Sequence, residues 1–232
     1  AQIRLSLPEA VRRLFRLPDL RTLMALLFVA TAAFATHDVL LEPYGAQVLN
    51  MSVSATTELT IYWGVAMLVA VALAGWALRQ GRPPLLLLVA GCGAGALGFL
   101  VVGVASNDAS VQLFRSGVAL IGVGRGLFVV GSLALVLGLT QMSSAGFLLG
   151  LWGVVQALAQ GLGNVFGGVA RDATTAATGQ VLPGYTVVYG AAFLAIVATV
   201  VLLVRFRARI GTVGNSAPWN ALADIPGDQL LY

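Results

Sequence analysis

Lysine is absent from this chain, and all 13 basic residues are arginine. Charge of either sign is scarce: nine residues are acidic, and charged residues make up 9% of the 232 positions, against roughly 25% in a soluble domain. So few charges cannot cover a surface wet on all sides, which excludes a soluble enzyme. Cysteine occurs once, as Cys92, so there is no disulfide framework, CxxC redox pair or cysteine-based zinc site. Histidine also occurs once, as His37, and with it go any HExxH motif and any Ser/His/Asp arrangement at usable spacing. No enzymatic turnover and no metal site are expected. No basic run is interleaved with aromatics, so the net charge of +4 does not point to nucleic acid. What the chain does have is 59% hydrophobic residues and 28 glycines, the composition of closely packed membrane helices.

A bilayer core of about 30 Å takes roughly 20 apolar residues per helix. Six stretches qualify: Leu20–Leu41, Thr57–Leu78, Leu85–Ser106, Val111–Thr140, Ala145–Ala170 and Pro183–Val204. The apolar runs are continuous rather than alternating, which selects helices over barrel strands. The expected fold is an all-α integral membrane bundle of six spans over residues 20–205. Residues 1–19 form a cytoplasmic interfacial segment and residues 206–232 an irregular cytoplasmic tail. Within the first of these, Ser6-Leu7-Pro8-Glu9 fits a capping box, and Leu7, Val11, Leu14 and Phe15 share one helical face. Six alternating spans put ten arginines on one side: Arg4, Arg12, Arg13, Arg16, Arg21, Arg79, Arg82, Arg205, Arg207 and Arg209. The positive-inside rule then places both termini in the cytoplasm. Six spans with both ends inside, and no initiator Met, are expected to be one half of a twelve-helix transporter architecture, cut or separately encoded.

Three features carry candidate chemistry. The first is small-residue spacing at Gly91/Gly95, Gly122/Gly126, Gly146/Gly150 and Gly163/Gly167, which lets another helix, or a flat pigment ring, approach closely. Gly122-Val123-Gly124-Arg125-Gly126 belongs here: it sits in an apolar helix with no preceding strand and no GK[ST], so it is no nucleotide loop. The second is Arg125, near the middle of the fourth span, where an arginine costs about 2.5–3.5 kcal/mol unless it faces the protein interior or a wet cavity. Gln156, Gln160 and Asn164 recur every fourth residue on the fifth span and give it a polar stripe to face. This is either a lining for a transport route or ligand headgroup, or a structural network joining two helices. The third is the run His37-Asp38-Val39-Leu40-Leu41-Glu42-Pro43-Tyr44-Gly45. Asp38 and Glu42 share a face, and one or the other is expected to tie the first span to the start of the second at Thr56, Thr57 and Glu58, the competing reading being a pigment or proton site. Pro43 is expected to end the first span. His37 either makes structural hydrogen bonds or offers a ring nitrogen to a chlorophyll magnesium.

Asp38-Val39-Leu40-Leu41-Glu42-Pro43-Tyr44-Gly45, Thr56-Thr57-Glu58-Leu59-Thr60 with Trp63-Gly64, Gly150-Leu151-Trp152-Gly153-Val154-Val155-Gln156-Ala157, Gly161-Leu162-Gly163 and Gly167-Gly168-Val169-Ala170-Arg171-Asp172 together resemble a known group. It is the bacteriochlorophyll-associated PucC/LhaA-type branch of the major facilitator superfamily, from purple phototrophs. The likeness spans about Leu14 to Arg207, and the motifs correspond to the C-terminal half of the family's twelve helices. It implies a protein of the bacterial inner (intracytoplasmic) membrane that assists assembly of light-harvesting antennae, with bacteriochlorophyll as a transient cofactor. The implied binding residues are His37, Asp38, Glu42, Arg125, Gln156, Gln160 and Asn164. The implied partners are membrane lipid, antenna or reaction-centre polypeptides, and an N-terminal six-helix half. A half-transporter for a small polar solute and a structural subunit docked on an antenna complex are the competing readings.

Overall fold

The computed structural model describes residues 18–105, 110–138 and 145–207. Six helices follow one another: α1 Pro18–Gln47, α2 Val53–Arg79, α3 Pro84–Ala105, α4 Val111–Gly138, α5 Ala145–Thr178 and α6 Val181–Arg205. Each is long and apolar enough to cross a membrane, and no strand occurs among the described residues. The molecule is therefore the expected all-α bundle of six spans. The amphipathic segment expected before residue 18, the junctions at 106–109 and 139–144, and the tail beyond residue 207 lie outside the described residues.

Two helices outlast the apolar runs that announced them. α1 passes through Pro43 and ends only at Gln47, so the proline does not stop it. Pro43 lacks an N–H and so forgoes one backbone bond, but the turn beyond it is held by packing. Tyr44 is buried, stacked on Phe114 at 4.6 Å and edge-on to Tyr185 at 5.1 Å. Gly45 lies so close to α2 that a Cβ would sit 3.1 Å from Thr56 Cγ2. Asn50, at φ 51°, then turns the chain in the left-handed region that asparagine tolerates. α2 begins at Val53, four residues before the apolar run expected to open it, because the Ser52 side chain caps it by accepting from the Ala55 N–H at 3.3 Å. α5 likewise continues past Arg171 and Asp172 to Thr178, where Gly179 at φ 69° ends it. Hydropathy marks the width of the membrane, whereas capping and packing set the length of the helix.

The packing pattern repeats. The principal pairs are α3 with α4, α2 with α4, α1 with α5, α3 with α6 and α1 with α6. Exchanging the first three helices with the last three maps α2–α4 onto α5–α1 and α3–α4 onto α6–α1, and returns α3–α6 to itself. Three is an odd number of crossings, so the second triplet runs inverted relative to the first, as in nested inverted repeats of transporters. One pairing breaks the pattern: α5 packs on α6, with no equally extensive contact between α2 and α3. α1 is the most enclosed helix, while α2 and α5 present most of their length outward.

Glycine makes the close crossings possible. A Cβ on Gly124 would lie 2.5 Å from Gly95 N and 2.7 Å from Gly91 O, both backbone atoms of α3. On the other side of α4, a Cβ on Gly122 or Gly126 would run into the carbonyl of Trp63 or Met67 on α2. The run around Arg125 is thus a double helix-crossing point, with α3 on one side and α2 on the other. Gly163 and Gly167 do the same for α5 against Ala32 and Thr36 of α1. Gly146 and Gly150 are different, with nothing within 4 Å of either. Of the four glycine pairs, three are packed inside the chain and one is open.

Candidate functional site

On α1, residues Thr31, Asp38 and Glu42 are spaced by seven and four, which places them along one side of the helix. On α5, the four-residue spacing of Gln156, Gln160 and Asn164 does the same. α4 contributes Arg125, directed away from the two glycine-lined contacts with α2 and α3. These surfaces converge. The Arg125 guanidinium donates through Nη2 to Gln160 Oε1 at 3.2 Å, and Gln160 Nε2 donates to Asp38 Oδ2 at 3.5 Å. Opposite charges on α4 and α1 are thereby joined through an amide on α5. Arg125 also lies over the Phe34 ring, 6.0 Å from its centroid, a cation–π contact in a desolvated place. One turn along α5, Gln156 Oε1 accepts from Thr31 Oγ1.

The site has spare hydrogen-bonding capacity. Arg125 is 8% exposed, and its Nη1 has no protein partner; nor has the buried Oδ1 of Asn164. Asp38 and Gln160 reach the surface of the bundle. α1 and α5 also expose apolar side chains, Val39 on the first and Leu158, Leu162, Val165 and Phe166 on the second. Gly153 and Gly161 on the same helix have open space where a Cβ would be. The result is a small polar island that reaches the surface through Asp38 and Gln160, with one enclosed donor and one enclosed acceptor unspent.

The remaining candidates fall elsewhere. Arg125 bonds Gln160 rather than Gln156, which is held by Thr31. Asp38 turns to α5 rather than to the start of α2. Glu42 does reach α2, but it accepts from the Thr60 hydroxyl at 3.5 Å rather than from the backbone donors of the first turn, one of which, the Ala55 N–H, is capped by Ser52. His37 is wholly buried on another side of α1, 6.4 Å from Phe99 and 6.3 Å from Tyr189 between ring centroids, and both ring nitrogens lack a protein partner. In this arrangement it faces no surface that a pigment ring could lie against, since successive helical residues point about 100° apart.

Several contacts were not anticipated. Tyr185 Oη donates to Gln47 Oε1 at 2.8 Å and accepts from Arg171 Nη1 at 3.4 Å, while Arg171 Nε donates to Asp172 Oδ1 at 2.8 Å. This knot binds α1, α5 and α6 at the end away from Arg79 and Arg205. On the same side, Arg115 pairs with Glu58 at 3.1 Å and lies over Tyr62. The Thr31–Asp38–Glu42 spacing was a readable signal for the α1 stripe; the tyrosine contacts had none.

A family profile described as "PUCC protein" matches residues 2–210. The chain belongs to the PucC family. Protein PucC of Cereibacter sphaeroides is 40% identical over 144 residues, which is 62% of this chain and 31% of that protein. Protein PucC of Rhodobacter capsulatus is 34% identical over 187 residues, 80% of this chain and 40% of that protein. The "Bacteriochlorophyll synthase 44.5 kDa chain" of Rhodobacter capsulatus is 29% identical over 224 residues, 88% of this chain and 50% of that protein. The chain thus spans a third to a half of the length of the curated relatives it matches. No solved structure matches it.

Proposed function

We propose that this PucC-family chain assists assembly of light-harvesting antennae by holding bacteriochlorophyll against the face formed by α1, α4 and α5, without enzymatic turnover. The observation that carries the reading is the unspent Arg125 Nη1 donor in mid-helix, on a guanidinium bonded to Gln160, whose neighbour in sequence, Gly161, is open. Bacteriochlorophyll is a flat macrocycle with a few carbonyl oxygens and a long hydrocarbon tail. Arg125 would donate to one carbonyl, the glycine strip would accept the ring face, and the exposed leucines and valines of α5 would take the tail. Asp38, Gln160, Gln156 and Asn164 frame the polar spot; Glu42 and His37 are not part of it. The C-terminal-half correspondence, the photosynthetic inner membrane and the cytoplasmic placement of both termini belong to the same reading. Arg21, Arg79, Arg82, Arg205 and Arg207 at one end of the bundle support that orientation.

The oppositely charged Asp38 and Arg125 favour a second reading, in which the polar island binds a small polar solute. One experiment separates the two. The full chain in detergent micelles is titrated with bacteriochlorophyll and the absorption band followed. A saturable band shift is expected for the wild type. It should weaken about tenfold or more in Arg125→Leu, and Gly161→Phe, which fills the open strip, should abolish it without moving the unfolding midpoint. Equal binding by all three proteins would refute pigment holding. A site for a small polar solute would lose function in Arg125→Leu and tolerate Gly161→Phe.

A further inference from the structure

About 100° round α1 from Asp38, where α1 meets α6, three polar atoms are enclosed without a partner among the described residues: His37 Nδ1, His37 Nε2 and Tyr189 Oη. His37 is 0% exposed and Tyr189 2%. Their rings stand 6.3 Å apart at 54°, and Phe99 of α3 flanks both, 6.4 Å from His37 and 6.0 Å from Tyr189. Tyr44 closes the far side, 5.6 Å from Tyr189, and its own hydroxyl donates to the Val102 carbonyl at 3.3 Å. The imidazole and the phenol are therefore enclosed together among aromatic rings.

We infer that His37 and Tyr189 share an internal water molecule at the junction of α1, α3 and α6. Buried polar groups in folded proteins nearly always have a partner, and where the protein supplies none an ordered water does so. The chemistry of the pair restricts the guest. A neutral imidazole has one donor and one acceptor nitrogen, and a phenol hydroxyl both donates and accepts. A guest that joins them must be small and must donate and accept at once. A metal ion would offer only acceptance of lone pairs and would find two ligands, and an apolar guest would leave all three atoms unpaired. Water meets both demands with the two partners it requires.

The water would do more than fill a gap. His37 and Asp38 are adjacent on α1, so rolling α1 to carry Asp38 away from Gln160 would also carry His37 away from Tyr189. The hydrated pair fixes the roll of α1 and makes His37 a positioning residue for the polar face beside it.

Because His37 is the chain's one histidine, ¹⁵N-histidine labelling reports this site alone. In solid-state NMR of the full chain in lipid bilayers, magnetisation from water should reach the His37 ring nitrogens. Tyr189→Phe should shift those resonances while leaving the helical backbone spectrum in place. A water-edited spectrum that shows helix-end amides but no His37 signal would overturn the inference, as would a His37 spectrum unchanged by Tyr189→Phe. Stability gives an independent reading. His37→Phe and Tyr189→Phe should each lower the unfolding midpoint, and the double variant should recover part of that loss because no orphan remains. Strictly additive losses would count against a shared guest.

Discussion

The α3–α4 crossing allows a quantitative test at Gly124. Alanine there places a Cβ 2.5 Å from Gly95 N, 2.7 Å from Gly91 O and 2.7 Å from Gly95 Cα. All three are backbone atoms, so no side chain can rotate away, and the helices must separate by roughly 1 Å to reach ordinary contact. A gap of about 0.5–1 Å forfeits a quarter to a half of each dispersion contact along the seam. Overpacking of this kind costs about 1–3 kcal/mol, and three backbone overlaps place Gly124→Ala at the upper end. Alanine's better helix propensity returns at most about 1 kcal/mol. The net expectation is a loss of about 2 kcal/mol, some thirtyfold in the folding equilibrium. Gly93→Ala is the matched control, on α3 with nothing within 4 Å of the added methyl. Both variants are unfolded reversibly with SDS in mixed micelles and followed by circular dichroism. Gly124→Ala should unfold at clearly lower SDS, and Gly93→Ala at or above the wild-type midpoint. Equal midpoints for the two would refute the argument that backbone contact, rather than glycine content, holds α3 to α4.

Tyr185→Phe removes the bonds to Gln47 and Arg171 at once and should cost about 1–2 kcal/mol in the same assay; combined with Gln47→Leu the losses should be less than additive. Glu42→Gln keeps an acceptor for Thr60 and should leave protein level, unfolding midpoint and antenna assembly near wild type, whereas normal protein with abolished assembly, read from membrane absorption spectra, would assign Glu42 to function instead. Cys92 is buried and silent to membrane-impermeant maleimide, so Gln80→Cys and Arg207→Cys should label from one side of the membrane and Ser54→Cys from the other; labelling of Gln80→Cys and Arg207→Cys from opposite sides would overturn the common placement of the helix ends that carry the arginines.

What could be read from the sequence follows the range of the forces involved. Six spans were legible because burying apolar length is a sum over some twenty residues and tolerates local exceptions. Helix ends were not, because they rest on single residues: Ser52 moved the start of α2, and Tyr44 carried α1 through Pro43 by stacking on Phe114. At the site, the four-residue period of Gln156, Gln160 and Asn164 gave one stripe, and the cost of a mid-membrane arginine required it to have a partner. Which amide Arg125 meets depends on the relative shift of α4 and α5 by one turn, and nothing local in either helix encodes that shift. The short α1–α2 turn makes α2 the sequence neighbour of Asp38 and Glu42, and Glu42 does meet Thr60 there, yet α1 packs more extensively on α5, which Asp38 reaches instead. The inverted arrangement of the two triplets, not the order of the chain, decides who faces whom.

That arrangement also accounts for where the polar island lies. The equivalent contacts α2–α4 and α1–α5 both use glycines four residues apart, but on different members of each pair. In one, Gly122 and Gly126 on α4 receive α2; in the other, Gly163 and Gly167 on α5 receive α1. α4 is thus occupied by α2 and α3 on its glycine sides, and Arg125, set between Gly124 and Gly126, is left the direction of α1 and α5. On α5 the glycines take one side, and Gln156 and Gln160 lie beside them, where they meet Thr31, Asp38 and Arg125. The stretch of α2 that meets Gly122 and Gly126 presents Trp63, Met67 and Ala70, and the α2 carboxylate that does reach α4, Glu58, pairs with Arg115 instead. Arg125 therefore finds its side-chain partner on α5, whereas Arg115 on the same helix finds its partner on α2. The same small-residue crossings that let the six helices pack so closely direct Arg125 to the junction of α1, α4 and α5.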